Sequence, residues 1–341
     1  METKFINESG FQDFVGKLVE SRNLVGPVAK RNKFVFGEIN KYEDLRLDYD
    51  VTLLPPKKLF FPPKQDILKF YGQKGESCID PDPQILLGVH FYDIKAIDMT
   101  DLLFRENNED YNYLANRECT TIIGSNIQNV HDRAFFGSVG TEVEPKGHDG
   151  FLTKIEGGYV FEIITAKAKE LLQFGDFQDA NENQIKQAEK VNAEVLTKCS
   201  EKLNNTSAEI NKKVRNSFDS KIWEKTAEDC FSCGSCNIVC PTCYCFDVQD
   251  DWYLDQETGV RARSWDGCLK EDFSEVSLGQ GSIENFRETR GSRYRHRIMR
   301  KATYLNEKLG GPACVGCGRC SSVCTSDIAD PVNVINQIME E

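Results

Sequence analysis

Two copies of one cysteine spacing, C-x2-C-x2-C-x3-C, constrain this chain more than any other feature of its sequence. The two copies contain eight cysteines: Cys230, Cys233, Cys236, Cys240, Cys314, Cys317, Cys320 and Cys324. This spacing is typical of proteins that hold cubane iron–sulfur clusters with thiolates. Zinc also binds four thiolates, but zinc sites usually pair two C-x2-C segments and have no use for a third evenly spaced cysteine. The repeated motif therefore predicts two [4Fe–4S] clusters.

The spacing also predicts which cysteines share a cluster. Three thiolates separated by pairs of residues lie on a tight loop, and glycines such as Gly234, Gly316 and Gly318 allow the backbone to come close to the cube. The fourth cysteine begins the outgoing segment and points towards the other cluster. We therefore expect an exchange between the motifs. The predicted ligands are Cys230, Cys233, Cys236 and Cys324 for cluster one, and Cys314, Cys317, Cys320 and Cys240 for cluster two.

The distribution of cysteines separates a metal-binding part of the chain from an ordinary part. Of the 14 cysteines, only Cys78, Cys119 and Cys199 precede the first motif. The first residues carry charges and lack the apolar stretch and cleavage site of a signal peptide, which predicts a cytoplasmic protein. In that reducing compartment, cysteines are expected to bind metal rather than to form disulfides.

The pattern of apolar residues predicts an α+β protein with two domains. Residues 1–215 are expected to form a mixed α/β domain that ends in a polar helical connector. Residues 216–341 are expected to form a helical ferredoxin-like domain that binds two [4Fe–4S] clusters, with a helical stretch between the motifs at 283–308. In the first domain we predict one helix and then four strands: 11–20, 33–39, 84–90, 120–124 and 158–164.

The charge of the chain excludes some partners. With 42 Lys and Arg against 54 Asp and Glu, the formal net charge is −12, which repels phosphate backbones and argues against a nucleic-acid partner. No apolar run approaches the roughly 20 residues that span a bilayer, which argues against a membrane partner.

Two further groups of residues leave alternatives open. Cys243, Cys245 and Cys268 are either ligands of a third metal or small thiols packed beside the clusters; the second interpretation is favoured because no fourth ligand is evident. The second group is a basic run between the motifs. The favoured interpretation is a helix face that is solvated or structural. The alternative is that its cations interact with the anionic clusters or with an acidic partner. The run consists of Arg287, Arg290, Arg293, Arg295, His296, Arg297, Arg300 and Lys301.

No catalytic residue can be nominated from the sequence. The four histidines show no metal-binding spacing, and no G-x-G-x-x-G fingerprint follows a predicted strand. The chain therefore lacks the usual signs of its own flavin, nicotinamide or substrate site.

Several segments resemble a known family of iron–sulfur subunits. These segments are 240–246 (CPTCYCF), 261–268 (RARSWDGC), 285–287 (NFR) and 314–320 (CVGCGRC), with weaker similarity at 86–93 and 150–153. The family supplies the iron–sulfur subunit of anaerobic sulfite reductase and the beta subunit of cytoplasmic nickel–iron sulfhydrogenase. The resemblance implies an electron-transfer subunit that links a catalytic hydrogenase or reductase subunit to a flavin-containing NAD(P)H oxidoreductase subunit.

The expected function is therefore electron relay within an oxidoreductase complex, without catalysis by this chain. The alternative is a redox-responsive regulatory protein whose clusters control a conformation. A third hypothesis, an enzyme with its active site in residues 1–180, ranks last because those residues nominate no catalytic group.

Overall fold

The computed structural model describes residues 2–139 and 146–340, which form two compact units. Unit 1 comprises the described parts of 1–60, 80–132 and 143–199. Unit 2 comprises the described parts of 61–79, 133–142 and 200–341. The predicted domain boundary at residue 215 stays a prediction.

Strands and helices occur along the whole of the described chain. The strands are β1 (Glu2–Asn7), β2 (Leu24–Lys30), β3 (Lys33–Glu38), β4 (Lys64–Tyr71), β5 (Lys74–Ser77), β6 (Gln84–His90), β7 (Thr120–Ser125), β8 (Gly150–Ile155), β9 (Gly158–Ile163), β10 (Gln178–Asp179), β11 (Phe246–Trp252), β12 (Thr258–Trp265), β13 (Glu275–Gly279) and β14 (Ser282–Asn285). The helices are α1 (Glu8–Ser21), α2 (Phe91–Arg105), α3 (Tyr111–Cys119), α4 (Ala166–Leu171), α5 (Glu182–Val195), α6 (Ser207–Asn216), α7 (Ile222–Ala227), α8 (Ser235–Ile238), α9 (Arg290–Met299), α10 (Asn306–Leu309), α11 (Arg319–Val323) and α12 (Pro331–Glu340).

Unit 1 is built on a mixed eight-stranded sheet with the strand order β10-β1-β9-β8-β7-β6-β2-β3. The central strands β2, β6, β7 and β8 pair in parallel, whereas β1, β9 and β3 pair antiparallel with their neighbours. Strand β6 is buried along almost its whole length, as its continuous apolar run requires of a strand inside a parallel sheet. The helices α2 and α3 connect β6 to β7.

The core of unit 1 forms where α1 packs on the sheet. Asn7 caps α1 by accepting a hydrogen bond from the backbone N–H of Gly10. Phe11 and Phe14 of α1 are 1% exposed and belong to the same apolar cluster as Leu152 and Phe161 of the sheet. The ring of Phe11 stacks on Tyr159, with 4.1 Å between the ring centroids. Helix α1 therefore covers part of this side of the sheet with its apolar face, and Ala168 and Leu171 of α4 belong to the same cluster.

Unit 2 combines short helices with a four-stranded sheet of order β11-β12-β4-β5 and the hairpin β13-β14. Its apolar core gathers Trp223 of α7, Tyr294 and Ile298 of α9, and Ile335 of α12. The indole N–H of Trp223 donates to the carbonyl of Ser217 at 2.6 Å, so the buried ring leaves no polar atom unpaired. This helical core lies among the segments that carry the cysteine motifs.

Most of the predicted elements of unit 1 are confirmed. Helix α1 and the strands β3, β6, β7 and β9 lie within a few residues of their predicted positions. The stretch predicted as a polar helical connector contains α5 and α6, and its role as a connector stays a prediction. The prediction of a helix over 283–308 is wrong at its start, because residues up to Asn285 form β14 and the helix begins only at Arg290. Thr289 caps that helix by accepting from the N–H of Ser292.

In the residues that the structure describes, no helix has the length and apolar character needed to cross a bilayer.

We expect the core of unit 1 to be sensitive to loss of volume. Leu152 on β8 is 1% exposed, so Leu152→Ala should leave a cavity and destabilise the protein by about 2–5 kcal/mol. Leu102→Ala is the matched control, because Leu102 is 55% exposed and loses little contact. Thermal unfolding followed by circular dichroism checks this, and equal losses in the two variants would contradict the packing of Leu152 in the core.

The stability of unit 1 should also depend on the protonation of Asp98. Burial raises the pKa of this half-buried carboxyl to about 6, although its carboxylate accepts a hydrogen bond from the Lys146 N–H. The folded protein therefore binds the proton more tightly than the unfolded chain, and this stabilisation is lost as the pH rises from about 4 to about 6.

Asp98→Asn removes this titration, so the stability of the variant relative to the parent protein should rise by about 3 kcal/mol between pH 4 and pH 7. The measurement is the difference in melting temperature between the two proteins from pH 4 to pH 7. A difference that does not change with pH would contradict the prediction.

Candidate metal centres

The first motif begins as a tight loop between α7 and α8 and continues through α8 to Cys240. The amide of Cys230 donates to the carbonyl of Ala227 at 3.0 Å, at the end of α7. The chain then turns through two left-handed residues, Ser232 with φ 54° and Gly234 with φ 71°. The N–H of Ser232 points back at the Cys230 sulfur at 3.4 Å. The loop thus brings its cysteines close together and offers backbone donors to sulfur.

The second motif repeats this local structure. Gly316 and Gly318 have φ 65° and 78°, and α11 begins directly after Gly318 as α8 begins after Gly234. A Cβ atom on Gly316 would lie 2.5 Å from the backbone nitrogen of Phe136, and one on Gly318 would lie 2.5 Å from the carbonyl oxygen of Arg133. Both positions therefore require glycine for two reasons, the left-handed backbone and the close approach of another segment.

That approaching segment, residues 133–139, covers the second motif within unit 2. The N–H of Phe135 donates to the carbonyl of Gly316 at 2.8 Å. Arg133 forms ion pairs with Asp327 at 3.0 Å and with Glu201 at 3.4 Å. Sequence reasoning missed this covering segment, because nothing in its own residues signals contact with a motif that lies about 180 positions further along the chain.

Four cysteines line one cavity in unit 2, which we call cavity 1. They are Cys230, Cys233, Cys236 and Cys324. Leu269, Tyr294 and Ala329 contribute to the walls, and the N–H of Ala329 points at the Cys324 sulfur at 3.4 Å. Cys230 and Cys236 are buried, whereas Cys233 is exposed. Cavity 1 therefore has one cysteine at the protein surface.

Four other cysteines line a second cavity in unit 2, which we call cavity 2. They are Cys240, Cys314, Cys317 and Cys320. Apolar side chains, including Phe135, Ile298 and Ile335, form much of its wall. The hydroxyl of Thr242 lies 3.4 Å from the Cys240 sulfur and donates to the carbonyl of Ala313 at 2.8 Å. Cavity 2 therefore adjoins the apolar core of unit 2.

Each cavity takes three cysteines from one motif and the fourth from the other. These two sets are the same as the two sets in the predicted exchange. Four thiols around an apolar cavity are the donor set that [4Fe–4S] clusters use, so the residues present fit that group. Within residues 2–139 and 146–340, no three His, Cys, Asp or Glu side chains are grouped so that they could hold a single metal ion.

Burial and hydrogen bonding shift the pKa values of the cysteine thiols in opposite directions. Burial raises the pKa of Cys236 and of Cys314 to about 12. The pKa of Cys240 is lowered, chiefly by a hydrogen bond from the thiol of Cys243. Without metal, Cys236 and Cys314 are therefore neutral thiols, and metal binding would have to displace their protons.

The basic run does not form a uniformly solvated face. Three of its cations are spaced four residues apart, and we call them the cationic stripe: Arg293 and Arg297 on α9, and Lys301 in the helical turn that follows α9. Arg293 donates to the hydroxyl of Ser232 at 3.1 Å, Arg297 to the carbonyl of Cys236 at 3.4 Å, and Lys301 to the carbonyl of Thr242 at 2.8 Å. The stripe therefore contacts the first cysteine motif and the turn that follows it, while Arg290 is exposed.

Two of the three remaining cysteines of this region, Cys243 and Cys268, lie beside a buried asparagine. The side-chain amide of Asn237, 1% exposed, lies 3.4 Å from the Cys268 sulfur and 3.7 Å from the Cys243 sulfur. Cys245 is joined to the same region because its carbonyl accepts from the N–H of Asp266 at 3.1 Å. Nothing in the sequence pattern singled out Asn237. The packed arrangement agrees with the favoured interpretation of Cys243 and Cys268 as thiols beside the predicted clusters, which stays a prediction.

Comparison with known proteins gives a family for this chain. Residues 229–328 match the model of the 4Fe-4S dicluster domain. Over 337 residues the chain is 34% identical to sulfhydrogenase 2 subunit beta of Pyrococcus furiosus, an alignment that covers 97% of this chain and 96% of the relative. No solved structure matches the chain. Since the similarity extends over nearly the full length of both proteins, the chain belongs to the family of the sulfhydrogenase beta subunit.

Proposed function

We propose that this iron–sulfur subunit binds two [4Fe–4S] clusters and relays single electrons within an oxidoreductase complex. The ligands would be the four cysteines of cavity 1 for the first cluster and the four of cavity 2 for the second. The observation that carries the proposal is the convergence of four thiols on each of two separate cavities.

The residues around the cavities suit this role. A bound [4Fe–4S] cluster accepts and returns one electron at a time. The thiolates would fix the two clusters, while apolar walls such as Ile298 and Ile335 keep water away from them. The backbone N–H groups of Ser232 and Ala329 lie within reach of cysteine sulfurs, and donors of this kind stabilise added negative charge. The helical core of unit 2 would then act as a ferredoxin-like domain.

The similarity to a sulfhydrogenase subunit supports a proposal for the partners. The Pyrococcus relative is one subunit of a sulfhydrogenase, and this chain shows no dinucleotide fingerprint of its own. We therefore place it between a catalytic subunit of the hydrogenase or the sulfite or sulfur reductase type and a flavin-containing NAD(P)H oxidoreductase subunit. The free thiols that metal binding needs are maintained in the cytoplasm, which is where we place the complex.

Metal analysis tests the cluster content. The chain, purified without oxygen, should contain about eight iron atoms and about eight acid-labile sulfides, because each cubane has four of each. Low-temperature EPR of the reduced protein should show the signals of two four-iron clusters. A colourless protein that contains zinc would contradict the proposal.

The exchange of cysteines can be tested with matched variants. If the motifs exchange ligands, Cys324→Ser should damage the same EPR signal as Cys233→Ser, and Cys240→Ser should damage the same signal as Cys317→Ser. The control is Cys119→Ser in unit 1, which should keep the full iron content.

The opposite grouping would show that each motif binds its own cluster. In that case Cys240→Ser would behave like Cys233→Ser, and Cys324→Ser would behave like Cys317→Ser.

A further inference from the structure

Arg297 is a buried cation with unusual surroundings. Its side chain on α9 is 2% exposed. Among the described residues its hydrogen bond goes to the carbonyl of Cys236, and its Nε–H has no acceptor. By contrast, Arg293 lies 3.7 Å from the carboxylate of Glu271 and donates to the backbone carbonyls of Arg287 and Glu288. A buried guanidinium without a carboxylate is costly unless some other negative charge lies near it.

Arg297 adjoins both cavities. The residue lines cavity 2, together with the cysteines of that cavity. Its guanidinium also contacts Cys236, which lines cavity 1. Lys301 lines cavity 2 but not cavity 1, and it donates to Thr242. Arg297 is therefore the member of the cationic stripe that adjoins both sets of cysteines.

We propose that Arg297 is a positioning residue shared by the two cluster sites, where its fixed positive charge stabilises the reduced state at both; this rests on the proposed function. A cubane with four thiolates is anionic, and one added electron increases that charge. A cation in a poorly screened interior favours the more negative state, which raises the reduction potential. The unpaired Nε–H would also gain an acceptor in the sulfur of a bound cluster.

Three variants of the full chain, prepared without oxygen, test the proposal. Arg297→Gln removes the charge, and Arg297→Lys keeps a charge at the same position. Arg295→Gln removes a charge from the same helix at a residue that donates to the carbonyl of Phe218 and stacks over its ring. Iron and sulfide are measured first, and the reduction potentials of both clusters are then determined by EPR-monitored titration with dithionite.

The expected result is a shift of both potentials to lower values in Arg297→Gln, with the iron content unchanged. Arg297→Lys should stay closer to the parent protein, and Arg295→Gln should show the parent potentials. A shift of only one cluster, or of neither, in an Arg297→Gln protein with full iron content would overturn the proposal.

If Arg297→Gln loses its clusters, the comparison with Arg297→Lys still tests the proposal. If Arg297→Lys then keeps both clusters with potentials near those of the parent protein, the positive charge itself is required, as proposed. If Arg297→Lys loses them as well, the role of Arg297 is structural and the proposal fails. Failure of the proposed function is distinguishable from all these outcomes, because it would appear as missing iron in the parent protein.

Discussion

The fourth cysteine of each motif lines the cavity formed by the other motif, and the organisation of unit 2 depends on this exchange. Cys324 closes the first set and Cys240 closes the second, although the motifs begin 84 residues apart (314 − 230 = 84). Neither cavity is complete until the chain between the motifs has folded and returned. Metal binding at either site would therefore stabilise the contacts of the whole unit, because ligands that are distant in sequence must meet at one point.

Charge is the second constraint on this unit. The protein carries a net charge of −12, yet two arginines of the cationic stripe are buried beside the cysteines of the cavities. Burial of cations is unfavourable unless negative charge compensates it, and Arg297 has no carboxylate partner among the described residues. The anionic clusters proposed for the two cavities would supply that compensation. The interior of unit 2 is thus electrostatically complementary to an anionic group.

Sequence patterns predicted those parts of the structure that depend on local periodicity. Helix α1 and the strands β6 and β9 were identifiable because their apolar residues recur at the period of one element. Strands β4 and β12 were missed, because they pair across almost 200 residues and their own patterns are weak. The start of α9 was also misplaced, since β14 is stabilised by its pairing with β13 rather than by any signal within its own residues.

By itself, the sequence determined the chemistry available to this protein: eight cysteines in two equal spacings, glycines where the loops turn, and a basic run between them. The tertiary structure decided which of these groups meet. It placed Arg297 beside both sets of cysteines, laid residues 133–139 over Gly316 and Gly318, and put Asn237 between Cys243 and Cys268. The physical reason is that spacing along a chain specifies only local geometry, whereas contacts between distant segments are selected by the packing of the complete core.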